Sequence, residues 1–314
     1  MQTTKNILMV RPCKFSFNKE TEASNAFQVK VDVSEDLVRS KALKEFEEFV
    51  KKLKTKGVNV FVFDDTQSPH KPDAIFPNNW VTFHDDGTVI LYPMCAENRQ
   101  YERRTDIVEA LKKDFKITNI VDLSKYEKDK KFLEGTGSII FYHNNKIAYA
   151  CLSPRTNQEL FIKVCNLLRY DAVFFHTYNK DGKEIYHTNV MMCVGDKFAV
   201  VCLDSIFNEK EKQLVSNSLT ETGHKIIEIT FEQMNNFSGN MLEIGSNHDK
   251  SVLVLSQRSF DSLKSNQKNE LEQYCELLPV SINTIETVGG GSARCMMAEI
   301  FLPSLLKPLN EVLY

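Results

Sequence analysis

One structural plan occurs four times along the sequence. Each copy has a polar lead, an apolar strand, a short polar turn and a second apolar strand: NNWVTFHDDGTVILYP, TGSIIFYHNNKIAYACLS, TNVMMCVGDKFAVVCLDS and GNMLEIGSNHDKSVLVLSQRS. The turns DDG, HNNK, GDK and NHDK suit hairpins because Asn, Asp and Gly tolerate positive φ. This internal repeat, rather than any Pro-, Gly- or Ser-rich linker, organises the chain.

Helical patterns follow the hairpins. Asn157 and Asp204 are plausible helix starts, and residues 220–223 a plausible stop. Each helix precedes a short apolar strand such as NVFVFD or KIIEIT, so the repeated unit is ββαβ. Apolar residues at three- and four-residue spacing predict helices in ENRQYERRTDIVEALKKDF, PRTNQELFIKVCNLLRY, DSIFNEKEKQLVSNSLTETG and SEDLVRSKALKEFEEFVKKLKTKG, and a weaker one in SNQKNELEQYCE.

A polar residue recurs in the leads at a nearly constant interval. Asp73, Glu134, His187, Asn240 and Cys295 are separated by 61, 53, 53 and 55 residues. The fifth unit lacks a second strand at its C-terminal side, and NILMVRP near the N-terminus can supply it. That pairing would close a five-bladed α/β propeller whose leads surround one axis. We predict that residues 1–314 form a single domain of pseudo-fivefold ββαβ repeats, with residues from distant leads converging on one site.

Composition excludes several functional classes. The 314 residues are 42% hydrophobic and 26% charged, with 39 basic against 42 acidic side chains and a net charge of −3, so no basic field favours nucleic acid or a membrane surface. No apolar run approaches the roughly 18 residues of a membrane-spanning helix, and MQTTKNILMVRP lacks the pattern of a secretory signal. The eight cysteines contain no C-x-x-C pair, so we expect free thiols in a reducing cytoplasm rather than a zinc site.

The lead residues offer nucleophilic chemistry. Cys295 follows GGGSAR, whose glycines permit close approach of a substrate, and its thiolate would be the nucleophile. His187 could serve as general acid and base, and Glu134 could orient it. Asp73 could hold a cationic or hydrogen-bonding group. Each residue alone is ambiguous, because cysteine is often a buried hydrophobe and a lone histidine or aspartate is commonly structural.

The motifs PDAIFPNN, LEGTGS, LSPRTN, YHTNV and GGGSARCM resemble those of the guanidine-modifying superfamily. This superfamily includes arginine deiminases, dimethylarginine dimethylaminohydrolases and amidinotransferases, which are five-bladed α/β propellers (penteins). MVRPCKFSFN and NAFQ, together with FPNNW and YHTNV, look most like the bacterial citrulline-utilisation hydrolases. The resemblance extends from Met9 to about Pro303.

The resemblance implies a role for individual residues. It makes Cys295 the nucleophile, His187 the acid and base, and Glu134 its partner. Asp73 matches the first substrate-binding carboxylate of the superfamily. Arg155 in LSPRTN and Arg99 in AENRQYE match arginines that bind the substrate α-carboxylate, for which a bidentate guanidinium is well suited, although either could be a surface cation.

The sequence departs from the deiminase pattern at three positions. Asn78 and Asn79 stand where deiminases have an acidic pair, and Asn189 stands where an aspartate often follows the histidine. A guanidinium carries only donors and suits carboxylates, whereas an amide offers a donor and an acceptor. These substitutions favour a neutral ureido group, as in citrulline, over arginine, although Asn78 or Asn79 could simply shape the turn.

We therefore expect a cysteine hydrolase of a non-peptide C–N bond, converting citrulline to ornithine through a covalent adduct, with neither metal nor organic cofactor. Its partner would be a small guanidino or ureido amino acid, and a homodimer stays open. Arginine deimination, methylarginine hydrolysis and amidino transfer are alternatives on the same site. A non-catalytic propeller, as in a ribosomal anti-association factor, is the alternative outside enzymology.

Overall fold

The protein is described by a computed structural model that covers residues 1–247 and 250–305. Two residues of the predicted NHDK turn, His248 and Asp249, lie outside the described residues, as does the 306–314 end of the predicted domain. The eight cysteines all lie within the described part and are free thiols, as predicted.

The described chain contains fifteen short strands, which form five three-stranded sheets. In chain order the strands are β1 (Asn6–Arg11), β2 (Asn59–Asp64), β3 (Val81–Phe83), β4 (Thr88–Leu91), β5 (Asn119–Asp122), β6 (Ile140–Tyr142), β7 (Ile147–Cys151), β8 (Asp171–Phe175), β9 (Met192–Val194), β10 (Phe198–Val201), β11 (Lys225–Glu228), β12 (Leu242–Ile244), β13 (Val252–Ser256), β14 (Glu276–Val280) and β15 (Ala298–Glu299).

All five sheets share one topology. In β3–β4–β5 the first two strands form an antiparallel hairpin and the third pairs in parallel with the middle strand. The sheets β6–β7–β8, β9–β10–β11 and β12–β13–β14 repeat this order. The fifth sheet joins the ends of the chain, since β1 pairs antiparallel with β15 and parallel with β2. The prediction that NILMVRP completes the fifth unit is confirmed.

Helices connect the middle strand of each sheet to its parallel partner or lie in the leads. They are α1 (Glu35–Thr55), α2 (Glu97–Gln100), α3 (Thr105–Leu111), α4 (Gly135–Ser138), α5 (Gln158–Leu168), α6 (Thr188–Met191), α7 (Glu209–Glu221), α8 (Phe231–Asn235), α9 (Gln257–Ser262), α10 (Ser265–Leu271) and α11 (Asn283–Gly289). A parallel pair requires such a crossover, because its second strand must start again from the same edge.

The predicted start of α5 is confirmed, because the Asn157 side chain accepts a hydrogen bond from the Leu160 amide. The predicted start of α7 at Asp204 is wrong. Asn208 is the N-cap of this helix, and its side chain accepts from the amides of Lys210 and Glu211. Asp204 instead belongs to a preceding 3-10 turn, Leu203–Ser205. Two capping candidates only four residues apart cannot be separated by periodicity alone.

The middle strands are buried, whereas the outer parallel strands are covered only on one side. All residues of β4, β10 and β13 are buried, while β5 and β11 retain exposed positions. The longest helix, α1, packs on β2 and α11 and buries an apolar stripe that includes Phe46 and Phe49. This burial explains why a strongly charged segment still forms a stable helix.

The five leads lie next to one another. The 3-10 turn Pro77–Asn79 contacts α4 and the 3-10 turn Ala293–Met296, and α4 contacts α6. Asn240 lies just before β12 and reaches Cys295. Residues more than 200 positions apart in the chain therefore share one region, as the repeat predicts.

The buried stripe of α1 can be tested with two variants of the same helix. Phe46 is 0% exposed and Leu43 is 39% exposed. We expect Phe46→Ala to lower the free energy of unfolding by about 3–5 kcal/mol, because it leaves a core cavity. Leu43→Ala should cost about 1 kcal/mol or less. Urea unfolding followed by circular dichroism measures both, and equal losses would contradict this description of the core.

Candidate active site

The site is a small cavity at the meeting point of the leads. It has a volume of about 20 Å³, which is room for about one water molecule. Six of the nine predicted site residues line or border it directly: Cys295, His187, Asp73, Asn79, Arg99 and Arg155. Glu134, Asn78 and Asn189 lie outside this layer: Glu134 contacts His187, Asn189 contacts Cys295, and Asn78 donates to Thr136.

Glu134 and His187 form a buried pair. The two residues directly precede α4 and α6, and His187 Nε2 lies 2.8 Å from Glu134 Oε2. The second carboxylate oxygen accepts a hydrogen bond of 2.9 Å from the Cys95 amide. Burial alone would raise the pKa of Glu134, but the Arg155 guanidinium, the hydrogen bond from His187 and Arg99 together hold it well below its usual range.

The imidazole of His187 is neutral in this environment. Burial lowers the pKa of His187 to about 4, against the opposing effect of Glu134. A neutral imidazole beside an ionised carboxylate donates its one N–H to that carboxylate. Nε2 therefore carries the proton, and Nδ1 is the basic nitrogen. His187 can accept a proton at Nδ1 while Glu134 holds the ring in place.

Two buried arginines surround this pair. Arg99 forms two hydrogen bonds of 2.9 Å with the Glu102 carboxylate and approaches Asp73 Oδ2 at 3.7 Å. Arg155 Nη1 lies 3.6 Å from Glu134 Oε2, and its guanidinium stacks on the Tyr186 ring at 4.8 Å. Each guanidinium thus has a protein carboxylate within reach. This compensation is what allows so many charges to be buried together.

Asp73 has one oxygen satisfied and one available. Oδ2 accepts a hydrogen bond of 2.7 Å from Asn18 Nδ2, whereas buried Oδ1 has no partner within the described chain. Burial raises the pKa of Asp73, although Arg99 and the Asn18 hydrogen bond oppose the shift. An unsatisfied buried acceptor on a cavity wall is a place where a ligand donor would be favourable.

The amide of Asn79 has a defined orientation. Arg99 Nη2 donates to Asn79 Oδ1 at 3.0 Å, and a guanidinium can only donate, so the contacted atom is the oxygen. Nδ2 then points away from Arg99 and has no partner among the residues described. A Cβ on Gly137 would lie 2.4 Å from this nitrogen and 2.7 Å from His187 Cε1. Only glycine permits this close arrangement, which places a free N–H donor beside the imidazole.

Cys295 lies in the turn Ala293–Met296 and is 6% exposed. Its Sγ lies 3.2 Å from Asn240 Nδ2 and 3.4 Å from Asn189 Nδ2. The preceding glycines, residues 289–291, line the same cavity, and Gly290 has a φ of +64°, a conformation that side chains disfavour. The glycines as the approach of a substrate to the thiol stay a prediction.

Sequence reasoning missed the segment that covers the cavity. Ser24 Oγ accepts from Arg155 Nη2 at 2.5 Å, Asn25 Nδ2 donates to the Gly289 carbonyl at 3.2 Å, and Phe27 packs on Tyr186. Glu102 was also missed, although its position three residues after Arg99 on a helical pattern was a usable signal. The covering segment has no helix or strand, so no periodicity marks it.

Within residues 1–247 and 250–305, no three or more His, Cys, Asp or Glu side chains are grouped to hold a metal ion. None of the described helices is long and apolar enough to cross a membrane.

Comparison with known proteins defines the family. The family model described as N,N dimethylarginine dimethylhydrolase, eukaryotic, matches residues 11–302, and the chain belongs to this family. No curated protein matches the sequence. The enzyme is a hydrolase that acts on C–N bonds in guanidino compounds.

Solved structures share the α/β fold at low sequence identity. The N-terminal domain of ArgZ, an arginine dihydrolase of the ornithine-ammonia cycle in cyanobacteria, was solved bound to substrate. It is 15% identical and has a TM-score of 0.74, over 95% of this chain and 98% of that one. AgrE, in a ternary complex with ornithine and NAD+, is 15% identical with a TM-score of 0.74, over 96% of this chain and 40% of AgrE. The dimethylarginine dimethylaminohydrolase of Pseudomonas aeruginosa, complexed with citrulline, is 14% identical with a TM-score of 0.63, over 96% and 100%.

The neutral state of His187 predicts a specific pH dependence of stability. With a folded pKa of about 4 and an ordinary unfolded value near 6.5, only the unfolded chain binds this proton between those limits. Stability contributed by neutral His187 is complete above about pH 6.5 and falls on acidification toward pH 4, by on the order of 1 kcal/mol per pH unit.

Replacing His187 removes this dependence. In His187→Gln, whose amide can still donate to Glu134, the free energy of unfolding should fall less steeply between pH 6.5 and 4 than in the wild type. Other titrating groups contribute to both curves, so the difference isolates His187. Urea unfolding across this range measures it, and parallel curves would show that the imidazole is not held neutral.

Proposed function

We propose that this enzyme hydrolyses the bond between the ureido carbon and the side-chain nitrogen of a ureido amino acid, converting citrulline to ornithine through a covalent adduct on Cys295. The observation that carries the proposal is the free N–H of Asn79, a residue that lines the cavity and whose amide oxygen is held by Arg99. A ureido oxygen can accept this hydrogen bond. A guanidinium carries only N–H donors, so it would face the Asn79 N–H without an acceptor for that hydrogen.

The first step forms a thioester-like adduct. Sγ of Cys295 attacks the ureido carbon as a thiolate, and its proton passes to His187 Nδ1. The bond from the ureido carbon to the side-chain nitrogen then breaks, and His187 returns the proton to this nitrogen, which releases ornithine. Glu134 stabilises the transient imidazolium through the 2.8 Å contact with Nε2. The carbon remains on Cys295 as an S-carbamoyl group.

The second step frees the enzyme. Water gives a proton to His187 Nδ1 and attacks the S-carbamoyl carbon. The S–C bond then breaks to form carbamic acid, and His187 returns the proton to the sulfur, which restores the thiol. Splitting one displacement into two through a good leaving group is the general advantage of a cysteine nucleophile. The carbamoyl group passes from the substrate to Cys295 and then to water, and His187 carries the protons, so these residues and one water molecule account for each step.

Arg155 is the better placed of the two arginines to bind the substrate α-carboxylate. The buried Nε of Arg155 has no partner among the described residues. In Arg99, by contrast, Nε and Nη2 both donate to the Glu102 carboxylate. A cavity of about 20 Å³ cannot hold an amino acid. We therefore also propose that residues 22–29 move when substrate binds, since they separate this cavity from a groove of about 850 Å³.

We further propose that the five sheets close into one propeller domain. Neighbouring sheets meet through β3 and β15, β6 and β9, and β9 and β12. Near the N-terminus, Gln2 Nε2 donates to the carbonyls of Phe141 and Val194, and the Gly245 amide donates to Thr4 at 2.9 Å. These contacts join sheets that are distant in sequence. A homodimer stays a prediction.

A guanidino substrate is the second candidate, and Asp73 supports it. The partnerless Oδ1 of this carboxylate suits a cationic head group such as that of arginine or a methylarginine, and such substrates fit the family directly. Amidino transfer would need an added amine acceptor. A purely binding role is disfavoured because Cys295 and His187 line the same cavity and Glu134 is hydrogen-bonded to His187.

The proposal is tested by product analysis. Purified enzyme is incubated separately with citrulline, arginine and dimethylarginine while ornithine, citrulline and ammonia are followed. We expect ornithine from citrulline, and no detectable turnover by Cys295→Ala. Replacement of half-exposed Cys95 by Ala serves as the thiol control and should keep measurable activity. Citrulline formed from arginine or dimethylarginine without ornithine would contradict the ureido assignment, and activity in Cys295→Ala would contradict the mechanism.

Head-group selection is tested at Asn79. In Asn79→Asp the free donor becomes an acceptor, so the ratio of kcat/KM for citrulline to that for arginine should fall about 10-fold or more. Asn78→Asp is the matched control, because Asn78 Nδ2 already donates to Thr136 Oγ1 and lies behind the cavity wall. A similar ratio in both variants would show that charge alone, rather than the Asn79 donor, sets the preference.

A further inference from the structure

Two amide groups converge on the nucleophile. Nδ2 of Asn240 and Nδ2 of Asn189 lie 3.2 and 3.4 Å from Cys295 Sγ, and both asparagines are buried. We propose that Asn240, assisted by Asn189, is a positioning residue that donates hydrogen bonds to the sulfur and so stabilises the thiolate that forms when Cys295 gives its proton to His187. A thiolate is a much better acceptor than a thiol, so paired N–H donors favour the ionised form.

The surrounding backbone fixes Asn240 in the donating orientation. Its Oδ1 accepts a hydrogen bond of 3.1 Å from the Arg294 amide, which identifies this atom as the oxygen. Nδ2 then donates both to the Asn189 carbonyl at 3.1 Å and to Sγ. The Sγ to Oδ1 distance is longer, at 3.7 Å. Since Arg294 immediately precedes Cys295, the same short turn places both the sulfur and the group that orients its donor.

The charged groups around the cavity do not replace these amides. Asp73, Arg99, Arg155, His187 and the phenol of Tyr186 share the cavity wall with Cys295. Arg99 and Arg155 each have a carboxylate within 3.6 Å, and His187 is neutral because burial lowers its pKa to about 4. Burial raises the pKa of Tyr186, so this group is an uncharged phenol.

The role of the amides rests on the proposed function in one respect, namely that the substrate head group is a neutral ureido group. A cationic guanidinium could stabilise the thiolate as it binds, but a neutral ureido group brings no charge. An enzyme for a ureido substrate therefore needs its own neutral donors at the sulfur.

The test measures thiolate formation without using catalysis. Wild type, Asn240→Asp and Asn240→Ala are alkylated with iodoacetamide at pH 6.5 and 9.5, and modification of the Cys295 peptide is followed by mass spectrometry. We take the ratio of the alkylation rate at pH 6.5 to the rate at pH 9.5. This ratio reports the ionised fraction of the thiol, because a change in access to the sulfur affects both rates equally and cancels. Losing a charge-assisted hydrogen bond should lower the ratio about 10-fold in Asn240→Ala, and Asn240→Asp should lower it further.

Controls separate this effect from structural damage. The Cys95 peptide in the same molecule is the internal reference, and exposed Asn217→Asp introduces the same charge change on α7. The rate ratio of the Cys95 peptide should not change in any variant, and the rate ratio of Cys295 in Asn217→Asp should equal that of the wild type. If either Asn240 variant melts at a much lower temperature than the wild type, its alkylation rates reflect structural damage. Asn189→Asp then tests the second donor independently. A Cys295 ratio within about twofold of wild type in folded variants at both positions would overturn the inference.

Failure of the inference and failure of the proposed function are distinguishable. If wild type does not convert citrulline, the substrate assignment is wrong, but the alkylation ratios still decide whether the amides hold the thiolate. If citrulline is converted and the ratios do not change, the reaction assignment stands without this role for Asn240.

Discussion

The buried carboxylate of Glu134 is the constraint on which the rest of the site depends. An uncompensated carboxylate in such a position would take up a proton and lose its charge. Here the His187 N–H, the Cys95 amide and the guanidinium groups of Arg99 and Arg155 surround it, and these groups come from three separate stretches of chain. Convergence of the leads is therefore required electrostatically as well as topologically. If one of these partners moved away, the carboxylate would become expensive to bury and His187 would lose its orientation.

The repeated ββαβ unit could be predicted from sequence because it depends on local patterns. Hairpin turns, apolar strands and amphipathic helices each leave a periodic or compositional signal within about twenty residues. The near-constant spacing of Glu134, His187 and Asn240 then indicated equivalent positions. Even the pairing of the chain termini through β1 and β15 followed from counting strands in the units. The convergence of Cys295 with these residues needed no knowledge of side-chain geometry.

Other features depend on contacts that no local pattern contains. The covering segment around Asn25 is irregular, and its position is set by the Gly289 carbonyl, more than 250 residues away in the chain. The choice of Asn208 over Asp204 as a helix cap depends on where the preceding turn ends. The orientation of the Asn79 amide is invisible in the sequence, because it requires Arg99 from another stretch of chain to occupy the oxygen.

The asparagines of the site follow one physical logic. A carboxylate can only accept hydrogen bonds when ionised, whereas an amide donates from whichever end is left after its oxygen is engaged. Arg99 engages the oxygen of Asn79, and the Arg294 amide engages that of Asn240, so the N–H of Asn79 is left free and Nδ2 of Asn240 lies 3.2 Å from Cys295 Sγ. In the proposed reaction, the N–H of Asn79 donates to the ureido oxygen and the N–H of Asn240 donates to the sulfur of Cys295. Because an amide donor needs no positive charge on the substrate, the proposed ureido substrate and the proposed role of Asn240 depend on the same property of asparagine.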